Sequence, residues 1–327
     1  MVKRQDIQRV VVVGSGQMGP GIAYTLASVG CSVSIYARTP ESVERGLQAY
    51  QAAVNLLVKS GCISAGAGSE AAARLSGTTE LEDAVARADL VIESIAEDLK
   101  IKQELFARIE KACPSQTLLT SNTSGLPVTQ LASVLRQPER FAVTHFWNPP
   151  HLMPLVEVVK GEKTAPLTID TLVAVLQEAG KKPVVVLKDT PGQLGNRLFH
   201  ALIREAIWIV QEGIAAVEDV DTAIKNGLGR RFPVYGALEH QDVAGLDTVL
   251  AIQSYMAKAL CNETAAGRLL REKVAAGDLG VKSGRGFYDW SRRDIGAVIE
   301  KRDAFLVEML KAETAAGQTR VLQSTDS

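Results

Sequence analysis

The chain has 327 residues, which corresponds to about two domains at the usual ~150 residues per domain. Apolar residues make up 46% and charged residues 22%, a globular composition that excludes a disordered, collagen-like or coiled-coil chain. Lysine and arginine total 36 against 37 acidic residues, so the formal net charge is −1. This balance predicts no binding to nucleic acid or to an anionic membrane surface, because both need an excess of positive charge.

The sequence also contains no apolar run of the ~20 residues that a membrane span requires. The first apolar run leads directly into a glycine turn, which is not the pattern of a signal peptide. The four cysteines form neither a CxxC pair nor a metal-ligand spacing: Cys31, Cys62, Cys113 and Cys261. We therefore expect free thiols, no metal site and a cytoplasmic protein.

The first half of the chain alternates predicted strands and helices. A β-branched run at Arg9–Val13 predicts a strand buried on both faces, and a glycine turn and a helix follow it. The later elements are a strand at Ser32–Tyr36, a long helix at Glu41–Ser60, and strands at Leu90–Ser94, Thr117–Ser121, Ala142–His145, Leu155–Val159 and Pro183–Leu187. This alternation is typical of an α/β fold with a Rossmann-type doubly wound, mainly parallel sheet.

The pattern changes near residue 190, where Thr190-Pro191-Gly192 interrupts the last strand. From Asn196 to Gln211 the apolar residues recur with helical period, and helical segments follow. We place the boundary there, with a dinucleotide-binding domain over residues 1–190 and an all-helical domain over residues 191–327. The helix at 196–211 is more apolar than a monomer surface requires, which predicts a homodimer through the helical domain.

The segment from Gly14 to Gly19 reads GSGQMG, a GxGxxG pattern that follows a strand and opens a helix. In this context Gly14 permits the tight turn, Gly16 lets a pyrophosphate approach the backbone, and Gly19 permits close helix packing. The helix N-terminus then stabilises the phosphate charge. Gln17 and Met18 lie within the same loop and belong to the predicted cofactor site. The alternative, a purely structural glycine turn, does not explain the flanking strand and helix.

The end of the second predicted strand indicates which cofactor binds. NAD enzymes usually place an acidic residue here for the ribose hydroxyls, and this chain has Ala37 instead, followed by Arg38 and Thr39. Arg38 and Thr39 are suited to holding a 2′-phosphate, so the sequence favours NADP over NAD. The alternative is that Arg38 stacks on adenine or is a solvated loop charge.

A histidine and a glutamate on two predicted strands are of the residue types that alcohol oxidation needs. His145 ends a predicted strand, and the carboxyl ends of parallel strands are where open α/β sheets place their ligands. Removing a hydroxyl proton while hydride leaves needs a base, and imidazole suits this at neutral pH. Glu157 can hold the imidazole tautomer and stabilise the imidazolium. The alternatives are a structural histidine and an ion pair at a strand edge.

The chain resembles the 3-hydroxyacyl-CoA dehydrogenase family over nearly all of its length. The segments that carry the resemblance are GSGQMG, SNTS at Ser121–Ser124, HFWNP at His145–Pro149, LVEV at Leu155–Val158, DTPG and NR between Asp189 and Arg197, and GRGFYD at Gly284–Asp289. The resemblance implies hydride transfer between NAD(P) and a 3-hydroxyl group, with His145 and Glu157 as a catalytic dyad. It also implies dimerisation through the helical domain.

The resemblance also implies roles for other polar residues. Ser124 matches a serine that contacts substrate and nicotinamide, and Asn148 and Asn196 match polar groups around the dyad and the substrate oxygen. Glu97 and Lys102 match positions beside the nicotinamide and its ribose, and Asn122 and Asn148 are also predicted to bind the cofactor. Two simpler interpretations stay open, because Ser124 suits a turn and Asn196 suits a helix N-cap.

The expected substrate differs from the acyl-CoA thioester that members of the family usually use. Members that use acyl-CoA typically carry several lysines after the second strand, whereas Leu56–Cys62 contains only Lys59. The segment Gly227–Phe232 resembles the branch with L-gulonate 3-dehydrogenase, lambda-crystallin and carnitine dehydrogenase, which implies a free acid or a zwitterion as substrate. Arg231 is our candidate for a two-pronged carboxylate contact, with a surface ion pair as the alternative.

The sequence therefore predicts an NAD(P)-dependent oxidoreductase that acts on the 3-hydroxyl of a small free 3-hydroxy carboxylic acid. The first alternative is an L-3-hydroxyacyl-CoA dehydrogenase for a thioester such as 3-hydroxybutyryl-CoA. The second is a non-catalytic nucleotide-binding protein like lambda-crystallin. The intact glycine loop and the His145–Glu157 pair disfavour the non-catalytic alternative.

Overall fold

The structure is a computed structural model that describes residues 4–316. The chain divides into two compact units. Unit 1 runs to Asn196 and resumes at Glu300, and unit 2 comprises Arg197–Ile299.

Unit 1 is built on one eight-stranded sheet. The strands are β1 (Arg9–Val13), β2 (Ser32–Tyr36), β3 (Leu75–Thr78), β4 (Leu90–Glu93), β5 (Leu118–Ser121), β6 (Phe141–Phe146), β7 (Leu155–Lys160) and β8 (Lys182–Val186). Their order is β3-β2-β1-β4-β5-β6-β7-β8, and every neighbouring pair is parallel except β6 with β7. The strand order reverses between β1 and β4, which is the switch point where doubly wound sheets bind ligands. The predicted fold class is confirmed.

Apolar clusters cover both faces of the sheet, which explains the continuous β-branched run of β1. Val10 and Val12 point into one cluster, and Val11 and Val13 point into the other, because successive side chains alternate faces along a strand. Helices of the first cluster are α1 (Gly19–Ala27), α2 (Pro40–Lys59), α3 (Ala65–Ala73) and α7 (Pro166–Glu178). Helices of the second cluster are α4 (Leu81–Val85), α5 (Leu99–Ala112) and α6 (Val128–Ala132).

Seven of the eight strands agree with the sequence prediction to within one or two residues at each end, but β3 was not predicted. Its sequence, LSGT, has neither alternation nor an apolar run, and it pairs only with β2 at the edge of the sheet. A side chain at Gly77 would place its Cβ 2.3 Å from Val43 Cγ1. The strand therefore depends on the packing of α2, which single-sequence patterns do not register.

Unit 2 is helical, as expected for the second domain. Its helices are α8 (Gly195–Gln211, which begins in unit 1), α9 (Val217–Ala223), α10 (Gly229–Arg231), α11 (Ala237–Ala244), α12 (Leu246–Ala259), α13 (Arg268–Ala275) and the start of α14 (Ile295–Ala315). A π-helical turn at Ile224–Leu228 joins α9 to α10. Every residue of unit 2 is described, and among them only Cys261 is buried.

The division of the chain differs from the predicted domains 1–190 and 191–327. Residues 191–196 belong to unit 1, and the chain returns to unit 1 at Glu300 within α14. The return has a clear physical reason, because Val307 is buried in the first apolar cluster and Leu306 and Leu310 pack against it. Residues from 317 to 327, the end of the predicted second domain, lie outside the described residues.

Candidate active site

The loop between β1 and α1 has the geometry of a dinucleotide site. Gly14 has φ +123°, and a Cβ there would lie 2.3 Å from the Ser94 carbonyl oxygen. A Cβ on Gly19 would lie 1.9 Å from the Gly14 carbonyl oxygen, so both positions require glycine. A Cβ on Gly16 would instead meet no atom within 4 Å. That open space above the backbone, beside the N-terminus of α1, fits an approaching pyrophosphate.

Four other predicted cofactor residues lie near this loop, and two of them are exposed while the other two are helix N-cap residues. Gln17 is exposed, and Met18 is the N-cap residue of α1 without a side-chain cap. Thr39 caps α2, because its hydroxyl oxygen accepts the backbone N–H of Ser42 at 3.2 Å. Arg38, beside it, is exposed. Of the pair expected to hold a 2′-phosphate, one member is thus already used as a helix cap.

The predicted dyad forms across the antiparallel pair β6 and β7. His145 and Glu157 are direct register partners, so their side chains lie on the same face of the sheet. The Nδ1 atom of His145 lies 2.7 Å from Oε2 of Glu157. Both residues are buried, with 6% of His145 and none of Glu157 exposed.

Three further donors hold the Glu157 carboxylate. The Trp147 indole N–H donates to Oε2 at 3.1 Å, and the backbone N–H groups of Leu194 and Gly195 each donate to Oε1 at 2.8 Å. Burial by itself raises the pKa of Glu157, but the hydrogen bonds from His145, Gly195, Leu194 and Trp147 together lower it to about 2. Because the carboxylate is ionised, Nδ1 of His145 donates to it, and Nε2 carries the lone pair of the neutral imidazole.

The first residues of α8 are packed tightly against this carboxylate. A Cβ on Gly195 would lie 2.5 Å from Cζ2 of Trp147 and 3.4 Å from Oε2 of Glu157. Glycine at 195 therefore lets the helix begin directly over Glu157. Asn196 is the second residue of α8, which excludes the alternative that it is only a helix N-cap.

Asn196 and Ser124 are brought together by the loop after β5. The Asn196 side-chain amide donates to the Ser124 carbonyl oxygen at 2.8 Å, and the Gln193 side-chain amide donates to the Thr123 carbonyl oxygen at 2.9 Å. Asn122 accepts the backbone N–H of Phe146, the last residue of β6, at 2.8 Å. The loop is thus tied both to the histidine strand and to the start of α8.

Glu97 and Lys102 lie in a charged cluster that also contains Glu93, a residue the sequence analysis missed. The Lys102 ammonium lies 2.6 Å from Oε1 of Glu93 and 3.3 Å from Oε2 of Glu97. We name Glu93, Glu97 and Lys102 the β4 charge cluster, since Glu93 ends β4. The Thr123 hydroxyl and the Ser124 backbone N–H both donate to Glu97.

Lys102 was expected to touch the cofactor, whereas its side chain is 1% exposed. The reason is its position on α5, where it shares the buried face with Leu105, Phe106 and Ile109 at helical spacing. From this buried position Lys102 contacts Glu93 and Glu97, and it affects the site by holding these two carboxylates. Glu93 could have been suspected from the sequence, because a glutamate that ends an apolar strand such as LVIE is an unusual buried charge.

Two predicted residues are exposed to solvent. Asn148 is exposed and precedes the cis peptide bond to Pro149. Arg231 is exposed on α10 in unit 2, and its role stays a prediction. Within residues 4–316 no group of three or more His, Cys, Asp or Glu side chains is arranged to hold a metal ion. None of the helices described is both long and apolar enough to cross a membrane.

Two family descriptions match consecutive parts of the chain. The NAD-binding domain of 3-hydroxyacyl-CoA dehydrogenase matches residues 9–190, and the C-terminal domain of the same enzyme matches residues 192–290. The chain belongs to the 3-hydroxyacyl-CoA dehydrogenase family. It is therefore an NAD-dependent oxidoreductase, which confirms the family and the enzyme class expected from the sequence motifs.

Relatives of this dehydrogenase include proteins named for a free acid and for a thioester. The 5-formyl-3-hydroxy-2-methylpyridine 4-carboxylate 5-dehydrogenase of Mesorhizobium japonicum is 36% identical over 303 residues, which cover 92% of this chain and 96% of that protein. A probable 3-hydroxybutyryl-CoA dehydrogenase of Bacillus subtilis is 39% identical over 289 residues, which cover 88% and 99%.

A solved structure shows the same architecture. The crystal structure of a dehydrogenase of that pyridine carboxylate, described as an NAD+-dependent dismutase, superimposes with a TM-score of 0.86 at 36% identity. The match covers 93% of this chain and 99% of the other. These comparisons support NAD as the cofactor and give no support to the NADP preference inferred from Ala37-Arg38-Thr39.

Replacing Glu157 tests the energetic role of the buried carboxylate. Its pKa is about 2 in the folded protein, against ~4.3 in an unfolded chain. The ionised group therefore contributes stability that is fully present above pH ~4.3 and is lost as the pH falls towards 2. We expect Glu157→Gln to lower the free energy of unfolding by about 3 kcal/mol at pH 7, and the difference from wild type to shrink as the pH falls from about 4.3 to about 2.

Urea unfolding of both proteins across that pH range measures this effect. The matched control is Glu162→Gln, which neutralises an exposed glutamate just after β7 and should change the unfolding free energy very little. Equal stability of wild type and Glu157→Gln at pH 7 would contradict the account.

Proposed function

We propose that this dehydrogenase oxidises and re-forms the 3-hydroxyl of a small free 3-hydroxy carboxylic acid, with His145 as the acid/base. The observation that carries the catalytic assignment is the 2.7 Å contact between His145 Nδ1 and the ionised Glu157. With Nδ1 donating to Glu157, Nε2 is the atom that takes the hydroxyl proton as hydride leaves for the cofactor. Glu157 then stabilises the imidazolium, and its own anchors keep the ring in place.

The loop after β5 and the start of α8 complete the proposed site. Asn196 holds the Ser124 carbonyl, and this contact orients the Ser124 hydroxyl and the Asn196 side chain for the substrate oxygen. Asn122 ties the same loop to the end of the histidine strand. The bound cofactor supplies hydride acceptance, and the residues of this chain supply the proton transfer and the substrate geometry.

Replacing His145 with glutamine tests the acid/base role, because glutamine keeps a hydrogen bond to Glu157 but exchanges no proton. We expect kcat of His145→Gln to fall on the order of 10²- to 10⁴-fold, while the Kd for NADH stays within about twofold of wild type. Steady-state kinetics and NADH fluorescence titration measure the two quantities.

The control for this variant is His200→Gln, an exposed position on α8 whose change should leave both quantities intact. Loss of NADH binding together with activity would indicate a structural role for His145. Undiminished turnover would contradict the assignment.

The choice between NAD and NADP is tested by repeating the fluorescence titration of the wild type with NADPH. We propose NAD as the preferred form, because Thr39 is occupied as the cap of α2 and only Arg38 is left to attract a 2′-phosphate.

The free-acid assignment rests on charge and on one relative. The position where the family resemblance implies CoA phosphates has a single lysine, Lys59, at the C-terminal end of α2. The negative end of the helix dipole disfavours a phosphate there. The Mesorhizobium relative is named for a pyridine carboxylate, a free acid. The name of the Bacillus relative favours the alternative, a short 3-hydroxyacyl-CoA.

Arg231 is the proposed carboxylate-binding residue, and its replacement separates the two substrate classes. We expect Arg231→Ala to raise KM for a free 3-hydroxy acid on the order of ten- to a hundredfold, the usual strength of a charged hydrogen-bonded pair. Arg230→Ala is the matched control, since Arg230 is also exposed and adjacent on α10. An unchanged KM for the acid, with efficient turnover of 3-hydroxybutyryl-CoA by both variants, would favour the thioester alternative.

We also propose a homodimer through the helical unit. Unit 2 has one buried residue and a cavity of about 720 Å³ lined mainly by apolar side chains, among them Phe199, Ile203, Leu270 and Phe287. A helical domain normally buries an apolar core, so this surface favours cover by a second copy. Sedimentation equilibrium should give twice the chain mass of 35.0 kDa, and Leu270→Asp should shift the protein towards the monomer. A wild-type monomer at micromolar concentration would contradict the proposal.

A further inference from the structure

The β4 charge cluster lies at the side of the sheet where the nicotinamide half of the cofactor belongs. The glycine loop follows β1 and the ribose-binding position follows β2, which places the adenine half over that side of the switch point. A dinucleotide bound in this way would have its other half at the carboxyl ends of β4 and β5. Glu93 is the last residue of β4 and Ser121 the last residue of β5.

The hydrogen bonds around Glu93 favour its ionised form. The Ser121 hydroxyl oxygen accepts the Thr123 backbone N–H at 3.2 Å, so its own proton is free to go to Oε2 of Glu93 at 2.5 Å. The other oxygen of Glu93 accepts the Ile95 backbone N–H and the Lys102 ammonium, both at 2.6 Å. Every partner of Glu93 is a donor, which is the arrangement of a carboxylate.

The hydrogen bonds around Glu97 also come from donors. The Thr123 hydroxyl oxygen accepts the Leu126 backbone N–H at 3.0 Å, so its proton goes to Oε1 of Glu97. The Ser124 backbone N–H donates to the same oxygen at 3.0 Å, and the Lys102 ammonium lies beside Oε2. The cluster thus has two carboxylates and one ammonium, which leaves one negative charge without a cation.

The uncompensated charge is closest to solvent at Glu97. Its side chain is 45% exposed, whereas Glu93 and Lys102 are buried beneath it. The nicotinamide ring is a cation in the oxidised cofactor and neutral in the reduced one. A fixed negative charge at this edge therefore attracts the oxidised form more strongly than the reduced form. This attraction is screened less in a partly buried site than in water.

We propose that the net negative charge of the β4 charge cluster, carried to the site surface by Glu97, raises the affinity of this dehydrogenase for NAD+ relative to NADH. Glu97 then shifts the ratio of the two affinities in addition to holding the Ser124 loop. The proposal rests on the NAD site of the family and holds for either substrate class. A role of Glu97 in loop geometry alone changes the affinity for both redox forms equally, so the ratio of the two affinities distinguishes charge from shape.

Binding of each redox form to Glu97→Gln, without substrate, tests the proposal. We expect the Kd for NAD+ to rise on the order of tenfold and the Kd for NADH to change by less than about twofold. A tenfold change in the ratio corresponds to about 30 mV in the potential of the bound two-electron couple. Isothermal titration calorimetry measures both constants, and thermal melting verifies that the variant is folded.

Two further variants separate charge from geometry. Glu97→Asp keeps the charge but shortens the side chain, so the ratio of the two Kd values should stay near that of wild type even if both rise. Glu104→Gln removes an exposed charge from the same helix, α5, without touching the cluster, and should leave both constants unchanged. The proposal is overturned if Glu97→Gln weakens NAD+ and NADH equally, or if Glu97→Asp shifts the ratio as much as Glu97→Gln.

Discussion

The buried Glu157 carboxylate is the interaction on which the geometry of the site depends. It accepts hydrogen bonds from His145, from Trp147 and from two backbone N–H groups at the start of α8. An ionised carboxylate removed from water is tolerated only when such donors replace its hydration. The hydrogen bonds of this one side chain therefore tie the first turn of α8 to the β6–β7 pair. The same bonds determine the histidine tautomer, so folding and catalytic geometry have a common origin.

Two acids of the sheet are used in different ways, according to what surrounds them. Glu157 is paired with a histidine and neutral donors, which leaves it free to stabilise a proton on the imidazole. Glu93 is paired with Lys102 and is shielded from solvent, so it positions its neighbours and balances the charge of Lys102 without reaching the site surface. Glu97 combines a structural contact with exposure to solvent. One of its oxygens holds the Ser124 loop, and the side chain still reaches the surface. The site thus combines a proton-transfer pair with a separate charge cluster at the end of β4.

Much of the fold could be predicted because the relevant patterns are local. The run RVVVV, the glycine loop and the alternation of apolar segments each specify an element within a few residues of sequence. β3 and the return of α14 to unit 1 could not be predicted in this way. Both depend on contacts with residues far away in the chain, such as Val43 for β3 and the first apolar cluster for Val307. Pattern methods detect an amphipathic helix but not the surface on which it packs.

The sequence by itself determined the doubly wound sheet and the glycine turn, because strand periodicity and motif spacing place these features without knowledge of distant contacts. The family resemblance predicted the pairing of His145 with Glu157. Only the tertiary structure decided that Lys102 is buried against Glu93, that Thr39 is used as a helix cap, and that the N-terminus of α8 closes over Glu157. The physical reason is that the fate of a polar side chain depends on which donors and acceptors surround it after folding. Within the site, that arrangement brings together residues up to 72 positions apart in the chain, as in the contact between Asn196 and Ser124.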